Sequence, residues 1–158
     1  MGAARAVLGR CVLLITVPGL SDDRPGHPAD LGPLQHAVRR FRRTDGDAVG
    51  FLAHPGTLAF VAVEGVEVEG WCWGYYLPRP DGRSMAYLHE IEVAESSRRR
   101  RIGWGLLQAF LAAAHGLGAS KMFLFTAAEN APARTLYEKA GGTPHERGAT
   151  VTYWFALT

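Results

Sequence analysis

This sequence of 158 residues has few cysteines, a small net charge and no long apolar run. Its two cysteines, Cys11 and Cys72, lack metal-type spacing, so we expect neither a disulfide framework nor a metal site, and a cytoplasmic location is favoured. No stretch reaches the roughly 20 apolar residues of a membrane span, which predicts no membrane partner. The net charge of +2 excludes a uniformly basic protein that coats nucleic acid.

The remaining composition is that of an ordinary soluble protein. Apolar residues make up 47% and charged residues 20% of the chain, and the length predicts one domain over residues 1–158, without linker or repeat. The apolar segment 7–19 could pass for a weak signal-peptide core, but Arg10 interrupts it and no convincing cleavage site follows. We therefore interpret residues 10–17 as the first strand.

Strand and helix patterns alternate along the second half of the chain, whereas hairpin patterns fill the first half. Besides residues 10–17, strands are predicted at 57–63, 67–76, 85–93, 121–127 and 149–157. Helices are predicted from Asp30 to residue 43, at 47–53, at 103–115 and at 132–142. Together these elements predict the α/β class, with a mixed sheet and helices on its faces.

The densest positive charge directly precedes the predicted helix at 103–115. Four arginines at 98–101 follow a strand and lead into Gly103 and Gly105. The first turn of a helix leaves N–H groups unpaired, glycine admits a ligand close to the backbone, and arginines add charge-assisted hydrogen bonds. This pattern predicts a site for a phosphate-like anion, although it is neither a Walker loop nor a dinucleotide fingerprint. A solvated charge run that caps an ordinary helix is the alternative.

The segment VAESSRRRRIGWGLL, residues 93–107, resembles the pyrophosphate-binding segment of the GNAT superfamily of N-acetyltransferases. In that family a strand ends in Val, four residues follow, and Arg/Gln-x-x-Gly-x-Gly/Ala opens a helix. Aligned on Val93, Arg98 takes the Arg/Gln position and Gly103 the last Gly/Ala position. Arg101 stands where the family has its first glycine, and arginine tolerates a positive φ less well than glycine.

A second segment of the same family follows at the expected distance. ENAPARTLYEKAGG, residues 129–142, is similar to the family pattern Asn-x-x-Ala-x-x-Leu-Tyr-x-Lys-x-Gly-Phe. Gly142 stands in place of the final Phe. The matching residues are Asn130, Ala133, Leu136, Tyr137, Lys139 and Gly141. The resemblance covers residues 57–157 and adds little for residues 1–46.

The resemblance implies a GNAT-like fold, in which a central, mostly antiparallel, twisted sheet is splayed at the cofactor site and carries about four helices on its faces. It implies acetyl-CoA as the co-substrate and no metal. The pantetheine arm would bond to the backbone of Ile91, Glu92 and Val93, beside the strand at 121–126, and Asn130, Ala133 and Tyr137 would complete the cofactor site. The diphosphate would lie on the turn formed by Arg98, Arg99, Arg100, Arg101, Ile102, Gly103, Trp104 and Gly105.

Acetyl transfer to an amine needs a base for the amine and a proton donor for the leaving thiolate. The family match makes Tyr137 the expected donor, and a tyrosine that only packs is the alternative. Strand alternation predicts Glu90 and Glu92 about 7 Å apart on one face, with His89 on the other. Glu90 is the expected base. Two solvated glutamates are the alternative, and His89 is either a base or, more in keeping with its position, a core residue.

A narrower similarity concerns the acceptor. Residues 74–103 look like the corresponding stretch of the type I aminoglycoside 3-N-acetyltransferases. Glu90 replaces the Asp of that subfamily, and Ile91 replaces a Leu. The residues that carry the similarity are Tyr76, Leu77, Pro78, Arg79, Tyr87, Glu90, Ile91 and Val93. It implies that the partner is a small cationic amine, an aminoglycoside antibiotic, and that its 3-amino group is acetylated. Antibiotic resistance would be the outcome.

Other functions stay open. The acceptor could be another small amine, an amino acid or a peptide N-terminus, with Trp71, Trp73, Tyr75 and Tyr76 lining an apolar pocket. A domain that senses acetyl-CoA without catalysis is a different class, and so is a nucleic-acid binder that uses its arginines. The arginines at 39–43 are an unusual wall for a cationic substrate unless they face away. Dimers among similar proteins leave a homodimer open.

Overall fold

The computed structural model describes residues 32–145 and residue 155. The chain divides into two compact units, residues 1–125 and residues 126–158. The strand predicted at 10–17 lies outside the described residues, and so does the one predicted at 149–157 except for residue 155. The single-domain interpretation stays a prediction.

The first unit is built around a four-stranded sheet. Its described elements are α1 (Gly32–Arg42), α2 (Ala48–Ala53), β1 (Thr57–Glu64), β2 (Glu67–Pro78), β3 (Ser84–Val93), a 3₁₀ turn (Glu95–Ser97), α3 (Ile102–Gly116) and β4 (Met122–Phe123). The strand order is β1-β2-β3-β4; β1–β2 and β2–β3 are antiparallel, and β3–β4 is parallel. This mixed, mostly antiparallel sheet confirms the predicted fold class.

Helix α3 packs on one face of the sheet because β2 carries glycines beneath it. A Cβ at Gly70 would lie 3.1 Å from Leu106 Cδ1, and a Cβ at Gly74 would lie 2.9 Å from Phe110 Cζ. Phe110 in turn packs against Phe60 of β1, with ring centroids 6.1 Å apart. This close approach fixes the first turn of α3 relative to the end of β3.

Helices α1 and α2 cover the opposite face. Trp71 of β2 is buried there, and its ring stacks on Phe41 of α1 at a centroid distance of 5.8 Å. Phe51 of α2 packs edge-on against Trp73, 5.6 Å away. The buried residues of this layer are Leu34, Ala37, Ala48, Leu52, Ala59, Val61, Val68 and Trp71. The two helices therefore wall the side of the sheet on which Trp73 lies.

The second unit contains one helix among its described residues, α4 (Ala131–Lys139). Asn130 Oδ1 caps it by accepting a hydrogen bond from the backbone N–H of Ala133, with 3.3 Å between the two heavy atoms. The helix stops before Gly141, whose φ of 90° is left-handed. It therefore ends earlier than the helix predicted at 132–142.

Most predicted element bounds in the first unit are confirmed closely. The exception is the strand predicted at 121–127, of which only Met122–Phe123 joins the sheet. An apolar run shows that a segment can be buried, but it does not show at which residue the segment leaves the sheet. Within the described residues, the helices are all too short or too polar to cross a membrane.

Candidate active site

Among the residues that the structure describes, strand β3 has a partner on one side along only part of its length. It pairs with β4 only at Ala86–Met122 and Tyr87–Phe123, whereas its pairing with β2 continues to Val93. Among the described residues, no strand pairs with that edge of residues 88–93. Unpaired N–H and C=O groups at a sheet edge can hold an extended ligand through main-chain hydrogen bonds. The splay expected beside Ile91, Glu92 and Val93 is therefore present.

The arginine turn connects this edge to α3. Arg99 and Arg101 both have a φ of 63°, and Arg101 is the N-cap of α3 without a side-chain cap hydrogen bond. The first helical N–H groups, including that of Gly103, lack intrahelical acceptors, and left-handed residues before them build a concave backbone suited to anions. Arg101 thus adopts the positive φ that the family glycine would supply, so this departure preserves the shape of the turn.

The side chains of the arginine turn have two different environments. Arg100 Nη2 binds Glu64 Oε2, at the end of β1, at 2.6 Å. Arg98, Arg99 and Arg101 are exposed, and their side chains form no hydrogen bond or ion pair within residues 32–145. Three guanidinium groups are therefore available to an anion, while Arg100 ties the turn to the β1–β2 hairpin.

A β-bulge in β3 places both His89 and Glu90 next to the side chain of Trp73. Trp73 pairs with Glu90 and Gly74 pairs with Leu88, so His89 is the extra residue. Trp73 Nε1–H donates a hydrogen bond to Glu90 Oε2 at 3.1 Å, and the His89 ring lies 4.2 Å from the Trp73 ring. His89 is also exposed. The prediction of a core His89 on the opposite face is therefore wrong, because the bulge interrupts the two-residue alternation.

Glu90 and Glu92 share a face, as predicted, and Arg42 of α1 binds both. Arg42 Nη2 forms an ion pair with Glu90 Oε1 and lies 3.3 Å from Glu92 Oε2. The Arg42 guanidinium carbon lies 5.6 Å from the centre of the Trp71 ring. The side chain of Glu90 is 17% exposed, so its carboxylate is largely withdrawn from water. Arg42, the last residue of α1, thus lies against the carboxylates.

An apolar pocket of about 150 Å³ lies between α1, α2 and β2. Trp73 lines this pocket, and its Nε1–H donates a hydrogen bond to Glu90, so the pocket lies next to the carboxylate. Trp71 Nε1 is buried and has no hydrogen-bond partner within the described residues. The lining residues are Leu34, Val38, Asp47, Ala48, Phe51, Trp71 and Trp73. Of the four aromatics expected to line a pocket, Trp71 and Trp73 do so.

Aromatic rings continue from this pocket across the sheet toward the splayed edge. The centroid of the Trp73 ring lies 6.1 Å from that of Tyr75, which lies 6.5 Å from that of Tyr87. Tyr87 stacks on Phe123 of β4 at 4.9 Å. This row gives the side of the sheet that carries Glu90 a continuous aromatic surface.

The remaining predicted site residues lie on α4 in the second unit. Asn130 and Ala133 form its N-cap hydrogen bond, and Tyr137 is half-buried in its last turns. The backbone N–H of Gly142 bonds to Tyr137 O at 2.9 Å, and a Cβ at Gly142 would also lie 2.9 Å from that oxygen. Glycine at 142, where the family has Phe, therefore suits the tight chain reversal after α4.

The Cys72 thiol and the Asp81 carboxyl have shifted pKa values. Burial raises the pKa of the Cys72 thiol, which faces α3 with its Sγ 3.7 Å from Leu106 O. In the β2–β3 loop, the backbone N–H of Arg83 lowers the pKa of the Asp81 carboxyl, with the side chains of Arg83 and Arg79 adding to the effect. The Cys72 thiol is thus protonated and inert. Within the described residues, no group of three His, Cys, Asp or Glu side chains is placed to hold a metal.

Sequence reasoning missed Arg42 and Trp73 as the partners of Glu90. The sequence does place Arg42 at the end of an amphipathic helix and Trp73 in the strand that precedes β3. It does not show that either residue contacts Glu90, because the strand register and the helix packing decide which side chains meet.

A comparison with protein families gives a match over most of the chain. A family model described as "Acetyltransferase (GNAT) family" matches residues 25–142, which include β3, the arginine turn and α4. No curated protein matches the chain.

Several solved structures share the fold. An aminoglycoside acetyltransferase from an uncultured soil metagenomic sample, in complex with sisomicin, has a TM-score of 0.71 at 19% identity, covering 82% of this chain and 91% of that chain. Aminoglycoside N-acetyltransferase AAC(6')-Iy in complex with CoA has a TM-score of 0.65 at 18% identity, covering 78% and 88%. A ribosomal-protein-alanine N-acetyltransferase from Brucella melitensis biovar Abortus 2308 has a TM-score of 0.61 at 20% identity, covering 78% and 93%. At these identities the likeness concerns the fold.

Proposed function

The chain belongs to the GNAT family of acetyltransferases, and from that membership we propose that it moves an acetyl group from acetyl-CoA to a small-molecule amine. The observation that carries the proposal is one continuous surface: the edge of β3 that has no partner strand among the described residues leads through the left-handed arginine turn into the first turn of α3. The edge offers main-chain hydrogen bonds, and the turn offers N–H groups and cations. An extended carrier that ends in a diphosphate requires both features.

For the co-substrate, the backbone of Ile91, Glu92 and Val93 would hold the pantetheine arm. Arg100 contributes less than its neighbours to the diphosphate site, because Glu64 already binds its guanidinium. The turn that would hold the diphosphate comprises Arg98, Arg99, Arg100, Arg101, Ile102, Gly103, Trp104 and Gly105. Asn130, Ala133 and Tyr137 are assigned to the cofactor by the family resemblance. Bound acetyl-CoA supplies an activated acetyl thioester.

The residues of the chain then perform the proton transfers. Glu90 takes the proton that the amine loses as its nitrogen bonds to the acetyl carbon, and Trp73 fixes the direction of that carboxylate. Tyr137 gives its phenolic proton to the thiolate that leaves as the carbon–sulfur bond breaks. Before the attack, Glu90 takes from the bound ammonium the proton that converts it to an amine, and passes this proton to solvent. The proton that Glu90 takes during the attack returns to Tyr137 through solvent, so both residues recover their starting state and one proton is released overall.

For the acceptor, we propose the 3-amino group of an aminoglycoside, with antibiotic resistance as the consequence. The similarity of residues 74–103 to the 3-N-acetyltransferases supports this choice, and the position of the acetylated amine rests on that similarity alone. The carboxylates of Glu90 and Glu92 on one face suit an acceptor that carries several ammonium groups.

A second acceptor class is favoured by the apolar pocket. A cavity of about 150 Å³ accommodates a group the size of benzene. An amine with a compact aryl or branched alkyl group could therefore place that group in the pocket and its nitrogen beside Glu90.

A thiol-release assay with acetyl-CoA separates these acceptors. The panel comprises aminoglycosides with and without a free 3-amino group, and monoamines with and without an aryl group. We expect turnover with the aminoglycosides that carry the 3-amino group and its loss when that group is absent. Turnover confined to aryl monoamines would select the second class. No thiol release with any amine, together with no heat of CoA binding in calorimetry, would overturn the proposed function.

A further inference from the structure

Arg42 occupies the position between the two carboxylates that an acceptor ammonium would need. Its Nη2 contacts Glu90 and also lies 3.3 Å from Glu92 Oε2, so one cation bridges both acids. Its Nη1 donates a hydrogen bond to Phe41 O at 2.8 Å, and its guanidinium lies over the Trp71 ring. The chain therefore already holds a cation of its own at the proposed base.

The other arginines of α1 have a different role. Arg39 binds Asp45 at 2.8 Å and Arg40 binds Glu67 at 3.1 Å, in both cases through exposed carboxylates away from Glu90. Such exposed pairs contribute little to stability. Within the described part of α1, Arg42 is thus the basic residue whose partner is the proposed catalytic carboxylate.

The Arg42 contact can exchange with a ligand. The side chains of Arg42 and Glu92 are 43% and 41% exposed, so the guanidinium already contacts water and can leave Glu92 at low cost. The side chain of Glu90 is only 17% exposed, so its carboxylate needs another cation when Arg42 leaves. Two carboxylates and one guanidinium leave a local charge of −1, which still attracts a cation. An ammonium is more compact than a guanidinium and needs no fixed planar partner.

On the basis of the proposed function, we infer that Arg42 is a built-in occupant of the acceptor subsite, and that the acceptor ammonium displaces it from Glu90 and Glu92. While Arg42 is in place, the carboxylate of Glu90 is held by a guanidinium and is not free to take a proton from an amine. Displacement puts the amine beside the base in the same step. Arg42 thereby sets how strongly a cationic acceptor must bind before it can react.

The test compares Arg42→Gln with Arg40→Gln, a matched control on the same helix that removes the same charge from an exposed pair. Calorimetry with sisomicin as the probe, in the presence of CoA, measures acceptor binding directly, and steady-state kinetics measure the KM of sisomicin and of acetyl-CoA. We expect Arg42→Gln to lower the Kd and KM of sisomicin about fivefold, the size expected for a half-exposed ion pair. The KM of acetyl-CoA should keep its wild-type value in both variants.

The conservative variant Arg42→Lys retains a cation and should bind sisomicin with an affinity between those of Arg42→Gln and the wild type. If Arg42 has a purely structural role, Arg42→Gln will have a lower melting temperature than the wild type. Both Arg42→Gln and Arg42→Lys will then bind sisomicin with an unchanged or higher Kd, and that result would overturn the inference. If none of the proteins acetylates sisomicin, the proposed aminoglycoside acceptor is wrong, while the calorimetric comparison still decides whether Arg42 competes with a cation.

Discussion

The indole N–H of Trp73 holds the carboxylate of Glu90, with 3.1 Å between Nε1 and Oε2. The two residues are cross-strand partners in the β2–β3 pair, next to the bulge at His89. Because both belong to strands that pack under α3, the sheet and not a loop fixes the direction of this carboxylate. Glu90 is therefore the first residue to test.

Replacement Glu90→Gln should lower kcat by about 10²- to 10⁴-fold, since the amide still accepts the Trp73 hydrogen bond but cannot take a proton. Steady-state thiol release with an accepted amine measures the effect. Glu67→Gln, on the neighbouring strand, is the matched control and should keep wild-type turnover because Glu67 only pairs with exposed Arg40. A Glu90→Gln protein that turns over normally would remove Glu90 from the mechanism.

Replacement Tyr137→Phe should lower kcat by about tenfold or more, because the leaving thiolate loses its proton donor. The Kd of CoA, measured by calorimetry, should change far less than kcat. If the variant instead loses CoA affinity and retains kcat, Tyr137 only contributes to binding.

Replacement Gly103→Val should raise the Kd of CoA by about tenfold or more, because a branched side chain at the first turn of α3 blocks the approach of a diphosphate to the N–H groups. Gly116→Ala, at the other end of α3, adds a Cβ that meets open space and should leave the Kd unchanged. Equal CoA affinity in both variants would contradict a diphosphate site at this turn.

The left-handed conformation of Arg101 predicts a difference between two substitutions that both remove its charge. Arg101→Gly relieves the cost of a positive φ, whereas Arg101→Ala retains it, so the Gly variant should be more stable by up to about 1 kcal/mol. Urea denaturation measures the difference. A more stable Ala variant would show that residue 101 does not hold a φ of 63° in solution.

Local sequence was sufficient for the elements that lead to the candidate cofactor site. The predicted helix at 103–115 and the strand at 85–93 match α3 and β3 closely, because capping, alternation and helical periodicity act over a few residues. The same local reasoning failed at His89. The bulge there arises from the pairing of β3 with β2, and a single sequence does not reveal that register.

The sequence by itself determined the class of the protein: two family segments in order, a basic turn before a helix, and a strand with two glutamates. The tertiary structure alone decided what surrounds those glutamates. Arg42 lies 48 positions before Glu90 in the chain, and the packing of α1 on β2 brings them together. Side-chain pairing between distant elements depends on register and helix placement, which the whole core determines together and no local pattern encodes.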